Sequence, residues 1–208
     1  MNMNRLRSLL SALSILVLPA SIASAQFKVD IDKPEIVEVT SPDLGGDIAK
    51  KNFKPKDWME FEMKIKIEAK DKDKLFADKV TVKWFVAAKH PDKKVKGYIM
   101  MEKEVTHVNV PIGEDVYVSV YLSPNSIKRL TGGDKVSKSD IKDVGGQILI
   151  EGQQSVDKDK GYFSMDAKAG WWTAGSLSRY DKIPLLNKNE TPFKIFWYNR
   201  YAEIEEKR

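Results

Sequence analysis

From Trp58 to Ala69 the side chains alternate without a slip: Met59, Phe61, Met63, Ile65, Ile67 and Ala69 fall on one face, Glu60, Glu62, Lys64, Lys66 and Glu68 on the other. A period of two over that length fits extended backbone, where successive residues point to opposite sides; a helix would scatter the same residues around its circumference. The pattern predicts a half-buried strand with an apolar face toward a core and a charged face toward water. Val80, Val82, Trp84 and Val86 repeat it, as do Val116, Val118, Val120 and Leu122, each run bounded by Gly, Pro, Asp or Ser. Weaker candidates are Phe27 to Ile31, Ile36 to Val39, Tyr98 to Val110, Gln147 to Glu151 and Phe193 to Tyr198. One-sided runs of this kind belong to antiparallel sheets.

Helical signals are confined to one place. Ser123 can cap a short helix, Pro124 suits its first position, Ile127 and Leu130 share a side, and Gly132-Gly133 ends it. Many short strands with turn residues between them predict an all-β, mainly antiparallel fold, an immunoglobulin-like β-sandwich with Trp84 in its core. Pro34, between the first two strands, suits a chain that switches sheets at an edge. Lys70 to Lys74 and Asp157 to Lys160 alternate in sign between apolar segments and read as solvated hairpin ends. The segment 161–183 mixes aromatic residues, glycines and serines and reads as a long decorated loop.

The amino terminus carries a different message. Arg5 and Arg7 precede an apolar run from Leu9 to Leu18, and small residues end in Ala23-Ser24-Ala25. That is the layout of a cleavable secretory signal over residues 1–25, leaving 26–208 as a single sandwich domain. The apolar run is shorter than the about 20 residues that span a bilayer. No direct membrane insertion is expected after cleavage, and the expected location is the periplasm, the outer-membrane surface or the cell surface. With no cysteine in the chain, an exported domain of this size must be held by packing rather than disulfides. The formal net charge is +5, two of the arginines belong to the leader, and the remaining charges of both signs are interleaved. Nothing in that balance predicts nucleic-acid binding.

Catalytic chemistry finds little support. The two histidines sit in ordinary settings, His107 beside Val105 and Val108 in a strand and His90 before Pro91 in a lysine-rich turn. Asp157-Lys158-Asp159-Lys160-Gly161 has a superficial likeness to a calcium loop, but Tyr162 stands where the sharp-turn glycine belongs and Lys168 where the bidentate glutamate belongs. No metal, cofactor or catalytic residue is expected. Asn189-Glu190-Thr191 matches a glycosylation acceptor and reads as surface loop. Aromatic residues are the candidates for recognition. Trp171 and Trp172 would point to opposite faces of an extended segment, leaving one indole for contact, or both would cover the end of the core. Tyr180 belongs to the same loop. At the carboxyl end Phe193, Ile195 and Trp197 would face one way and Phe196 and Tyr198 the other, a strand apolar on both sides and hence central or at an interface.

The exported, cysteine-free layout and the ending Ile183-Pro184-Leu185-Leu186-Asn187-Lys188-Asn189-Glu190-Thr191-Pro192-Phe193 through Trp197-Tyr198-Asn199-Arg200-Tyr201 resemble a pilus-like protein family of Akkermansia and related Verrucomicrobia. The resemblance implies an immunoglobulin-type sandwich associated with a type IV pilus-like locus, hence a non-enzymatic, structural or adhesive component of the cell envelope with partners in a pilus-like assembly or among other envelope proteins. A filament-core prepilin keeps a long apolar amino-terminal helix, whereas this leader is cut away whole, so an accessory or differently assembled subunit is expected. A second expectation is capture of host or mucin glycans by Trp171, Trp172 or Tyr180. A third, resting only on the number of acidic residues, is a hydrolase that uses two carboxylates.

Overall fold

The alternating runs become strands that gather into two sheets with their apolar faces together. A computed structural model describes residues 27–43, 54–175 and 177–206; the leader, 1–25, lies outside them. In chain order the strands are β1 (Phe27–Ile31), β2 (Glu35–Thr40), β3 (Asp57–Ala69), β4 (Phe76–Lys89), β5 (Tyr98–Pro111) and β6 (Asp115–Leu122), followed by helix α1 (Pro124–Thr131) and β7 (Ile141–Ile150). Five short strands complete them: β8 (Gln153–Gln154), β9 (Tyr162–Ser164), β10 (Ser178–Arg179), β11 (Leu186–Asn187) and β12 (Glu203–Ile204).

In the first sheet β3 lies between β6 and the pair β1 and β2, with β11 beyond β6. The second runs β10, β5, β4, β7, β8, with β9 also on β7 and β12 also on β5. All pairings are antiparallel except β10 with β5. Phe61, Met63, Ile65 and Ile67 of β3 and Val118, Val120 and Leu122 of β6 meet Val80, Val82, Trp84 and Val86 of β4 in one buried cluster. Each such aliphatic side chain contributes about 1.5–3 kcal/mol when taken from water, and in a chain without disulfides this layer carries the stability. Trp84 is fully buried and meets Phe163 edge-on, ring centroids 5.2 Å apart. Gly146 pairs with Trp84 across the ladder, and a Cβ there would lie 1.9 Å from the Lys83 carbonyl oxygen, so only glycine lets the strand pass.

The short helix forms as its sequence signals predict. Ser123 Oγ accepts from Ser126 N–H at 3.2 Å, Ile127 and Leu130 are buried, and Gly132 at φ 80° returns its N–H to the Lys128 carbonyl at 2.8 Å. Three expectations need correction. Pro34 does break the edge, but β1 and β2 stay in one sheet, each paired with β3. The outer edge of β1 is sealed by the other sheet's loop, where Val156 N–H donates to the Phe27 carbonyl at 2.9 Å and Val29 N–H to Ser155 Oγ at 3.1 Å. The seventh strand starts at Ile141, well before Gln147. Phe193 to Tyr198 is not a strand at all: Thr191 Oγ1 accepts from Phe193 N–H at 3.1 Å and Pro192 opens a 3-10 turn, Pro192–Ile195. The backbone from β11 to β12 is therefore a strap, leaving the first sheet after Asn187, bridging back to Tyr117 at Tyr201 and joining the second at Glu203.

Candidate functional site

The strap crosses the face of β3 that alternation assigns to water. Glu60 and Glu62, two residues apart on one strand, project on the same side, yet they are only 3% and 8% exposed. Tyr121 donates to Glu60 Oε1 at 2.6 Å and accepts from Ser119 at 3.1 Å. From the strap, Tyr201 Oη lies 2.9 Å from Glu60 Oε1 and also contacts Glu62 Oε2, while Arg200 pairs with Glu62 Oε1 at 2.6 Å. The Arg200 guanidinium also covers the Tyr117 ring at 3.8 Å. Burial raises the pKa of Glu62 above the usual carboxylate range, with Glu60 and Glu35 adding to the rise and Tyr201 and Arg200 opposing it. Burial likewise raises both tyrosines.

Lys188 is buried beside this group, its pKa lowered by burial. Its ammonium donates to the carbonyls of Lys194 and Phe196 and sits 5.0 Å over the Tyr201 ring. A buried lysine spent on backbone carbonyls fixes the turn that follows. Phe193 plugs inward, stacked on Tyr121 at 5.6 Å and edge-on to Trp58 at 5.7 Å. The neighbouring apolar residues are turned outward: Ile195 is 72% exposed, Tyr198 80% and Trp197 49%, with Trp197 held at φ 52°. A bulky residue in that backbone region costs about 1–3 kcal/mol and persists only where its surroundings impose it. Phe196 is half-buried against Trp197 at 5.9 Å. Of the carboxyl-terminal candidates, Tyr198 thus lies fully on the tip and Phe196 supports it.

Trp171 and Trp172 occupy neither of their expected places. They form a 3-10 turn rather than an extended segment, and both lie half-buried over the outer face of the second sheet. Trp172 stacks flat on Phe85 with centroids 5.2 Å apart, edge-on to Trp171 at 5.6 Å and tilted against Tyr162 at 5.8 Å. Gly145 makes the room, since a Cβ there would come within 2.9 Å of both indoles. Below them Asp143, buried, accepts from the N–H groups of Val144, Met165, Asp166 and Ala167 and from Ser164 Oγ, which in turn accepts from Trp171 Nε1 at 3.1 Å. Tyr180 has other neighbours, edge-on to His90 at 5.8 Å with its N–H on the Met100 carbonyl. A stacking platform for a sugar needs an open indole face, and Phe85 already takes one face of Trp172.

His107 is buried in β5 with Nδ1 3.1 Å from the Ala202 carbonyl; burial pushes its pKa down to about 4. The imidazole is therefore neutral near pH 7, and Nδ1–H donates to the strap. Glu60 and Glu62 share a partner in Tyr201, but they lie beneath the strap rather than in a cleft. A surface cleft beside β1 is lined largely by charged side chains, Lys28, Asp30, Lys33, Asp157 and Lys158 among them. Among the described residues no three His, Asp or Glu side chains are grouped to hold a metal ion, and no helix is long and apolar enough to cross a membrane.

Sequence reasoning did not single out Glu60, Glu62, Asp143, Lys188, Arg200 or Tyr201. A signal for the strap was present: Asn187 and Glu190 form a reciprocal capping box, and Thr191-Pro192 repeats the Ser123-Pro124 start of α1.

Comparison with known proteins places this architecture. A family model matches residues 20–208. No curated protein matches. A crystal structure of a protein from Akkermansia muciniphila superposes with a TM-score of 0.79 at 35% sequence identity, covering 88% of this chain and 95% of that one. By the family model over residues 20–208 and the superposition at 35% identity, the chain belongs to the pilus-like protein family of Akkermansia.

Proposed function

We propose that the chain is an exported, non-enzymatic structural component of a pilus-like assembly, and that it contacts a neighbouring subunit through the tip formed by Ile195, Trp197 and Tyr198. The observation that carries this reading is the tip itself. A domain with a well-filled core leaves a tryptophan, a tyrosine and an isoleucine exposed side by side, on a turn braced by Lys188 and pinned by Phe193. Rigid aromatic groups are what interface centres are built from, because they bring large contact area with few rotors to freeze. The family relationship supports a pilus-related partner, and the signal-like layout of residues 1–25 supports an envelope or extracellular location.

The test is site-directed photocrosslinking in native cells. A photoreactive residue at Trp197 should join the protein to a component of the pilus apparatus, and the same group at exposed Leu75, just ahead of β4, should not. Crosslinks from Leu75 alone, or no pilus component in either product, would remove the basis for the assignment. The outward placement of Tyr198 also predicts that Tyr198→Ser, with the photoreactive residue kept at position 197, leaves the fold intact while weakening the crosslinked complex.

A further inference from the structure

The hydroxyl of Tyr201 touches two carboxylates and owns one proton. If it donates to Glu60 Oε1, its contact with Glu62 Oε2 is lone pair against lone pair unless Glu62 carries a hydrogen of its own. Glu60 Oε1 is already served by Tyr121, whose own hydroxyl accepts from Ser119, so no spare donor comes from that side. Lys188 is committed to two backbone carbonyls, and Arg200 reaches only Glu62 Oε1. One additional proton completes the set: Glu62 donates to Tyr201, and Tyr201 donates to Glu60.

We propose that the strap is a proton-held clasp, closed over the first sheet while Glu62, Tyr201 and Glu60 share that extra proton and loosened when the proton is lost as the medium becomes less acid. The groups facing the proton come from every element packed there: Glu35 from β2, Glu60 from β3 itself, Tyr117, Ser119 and Tyr121 from β6, and Lys188, Arg200 and Tyr201 from the strap. Lys64, next on the same face, is engaged by Asp32 and Asp115. Deprotonation leaves Glu60 and Glu62 both charged, with Glu35 nearby. Arg200 pairs at close range with Glu62 alone, and the Lys188 ammonium, which feels the Glu60 charge, is held on two backbone carbonyls. The sign follows from the raised pKa of Glu62. The closed strap binds more protons than the open one, so closure is complete below the ordinary glutamate value and is lost as pH rises through the raised value. The inference stands apart from whatever the tip contacts, since it concerns only whether the strap is shut.

Amide hydrogen exchange reads the strap directly. Ala202 N–H is held by the Tyr117 carbonyl, Tyr117 N–H by the Arg200 carbonyl and Glu205 N–H by the Thr106 carbonyl, so all three report on closure. Exchange would be followed from about pH 4.5 to about pH 8, corrected for intrinsic rates, in the wild type and in Glu62→Gln, which keeps a neutral group in place. Taking the ratio of the two cancels the titration of His107, common to both. Wild-type protection divided by that of the variant should fall with pH, by at most about tenfold per pH unit, the slope set by one released proton. A constant ratio across the range overturns the proposal. Glu60→Gln removes the second carboxylate, one of the charges that hold the Glu62 pKa up, and serves if Glu62→Gln folds poorly: it should reduce the pH dependence of the same amides, and an undiminished slope would count equally against the clasp.

Discussion

Replacing Asp143 with alanine should unfasten the loop that carries Trp171 and Trp172. The carboxylate accepts from Ala167 N–H at 2.6 Å, Val144 N–H at 2.7 Å, Met165 N–H at 3.1 Å and Asp166 N–H at 3.3 Å, with Ser164 Oγ at 3.2 Å. Met165 keeps a second acceptor in the Val144 carbonyl at 2.7 Å, and the loop amides can turn toward water. The loss therefore rests mainly on the two short bonds, at about 1.5–2 kcal/mol each for a charged acceptor, or about 3–4 kcal/mol together. With a urea dependence of about 2 kcal/mol per molar, the unfolding midpoint should drop by about 1.5–2 M. Asp143→Asn retains one carbonyl acceptor and should lose about half as much. Tryptophan fluorescence should report the second effect, because Ser164 no longer holds the Trp171 indole N–H once its own anchor is gone. A midpoint shift under about 0.5 M for the alanine variant, or full loss of stability with unchanged exchange in residues 165–173, would refute this account.

Two further outcomes follow from the strap. Phe193→Ala removes a ring packed on Tyr121, Trp58 and Trp197 and should cost about 3–5 kcal/mol in chemical denaturation; a loss below about 1 kcal/mol would mean that the strap is not pinned there. His107 has its pKa pushed down to about 4 by burial, so the unfolded chain takes up a proton that the folded one refuses. Stability contributed by this group is present above about pH 6.5 and is lost as pH falls toward 4, by about 3 kcal/mol at most, and His107→Leu should remove that slope from a series of urea melts.

The strands were legible because their physics is local. Alternation over Trp58 to Ala69 places β3 to within a residue, Trp84 is where its position in an apolar run puts it, and Ser123 and Gly132 mark the ends of α1. Glu60 and Glu62 were not legible as buried groups, since a charged face on a strand means water unless something else covers it, and what covers it arrives from more than a hundred residues away. The turn at Pro192 was hidden by its own apolar neighbours. Five hydrophobic residues between Phe193 and Tyr198 satisfy a two-sided strand pattern, and that pattern outweighed the Thr191-Pro192 start signal. Trp171 and Trp172 found a third setting, with Trp172 flat on Phe85 and Trp171 edge-on to it, because the side-chain-free surface at Gly145 admits them. Glycines in a strand read from sequence as weakness; here one passes Trp84 inside and its neighbour seats the indoles outside.

The strap follows in the chain every strand that it covers, so during synthesis or threading through a pore its residues emerge after the two sheets. Until they do, Glu60 and Glu62 lie open to solvent, the Tyr121 ring lacks its cover, and the edge of β5 near His107 has no β12. An incomplete chain of this topology is held short of its finished state. Any fusion attached close behind Ile204 competes with the same final step, so a tag at that end would disturb assembly of the domain more than one placed ahead of β1.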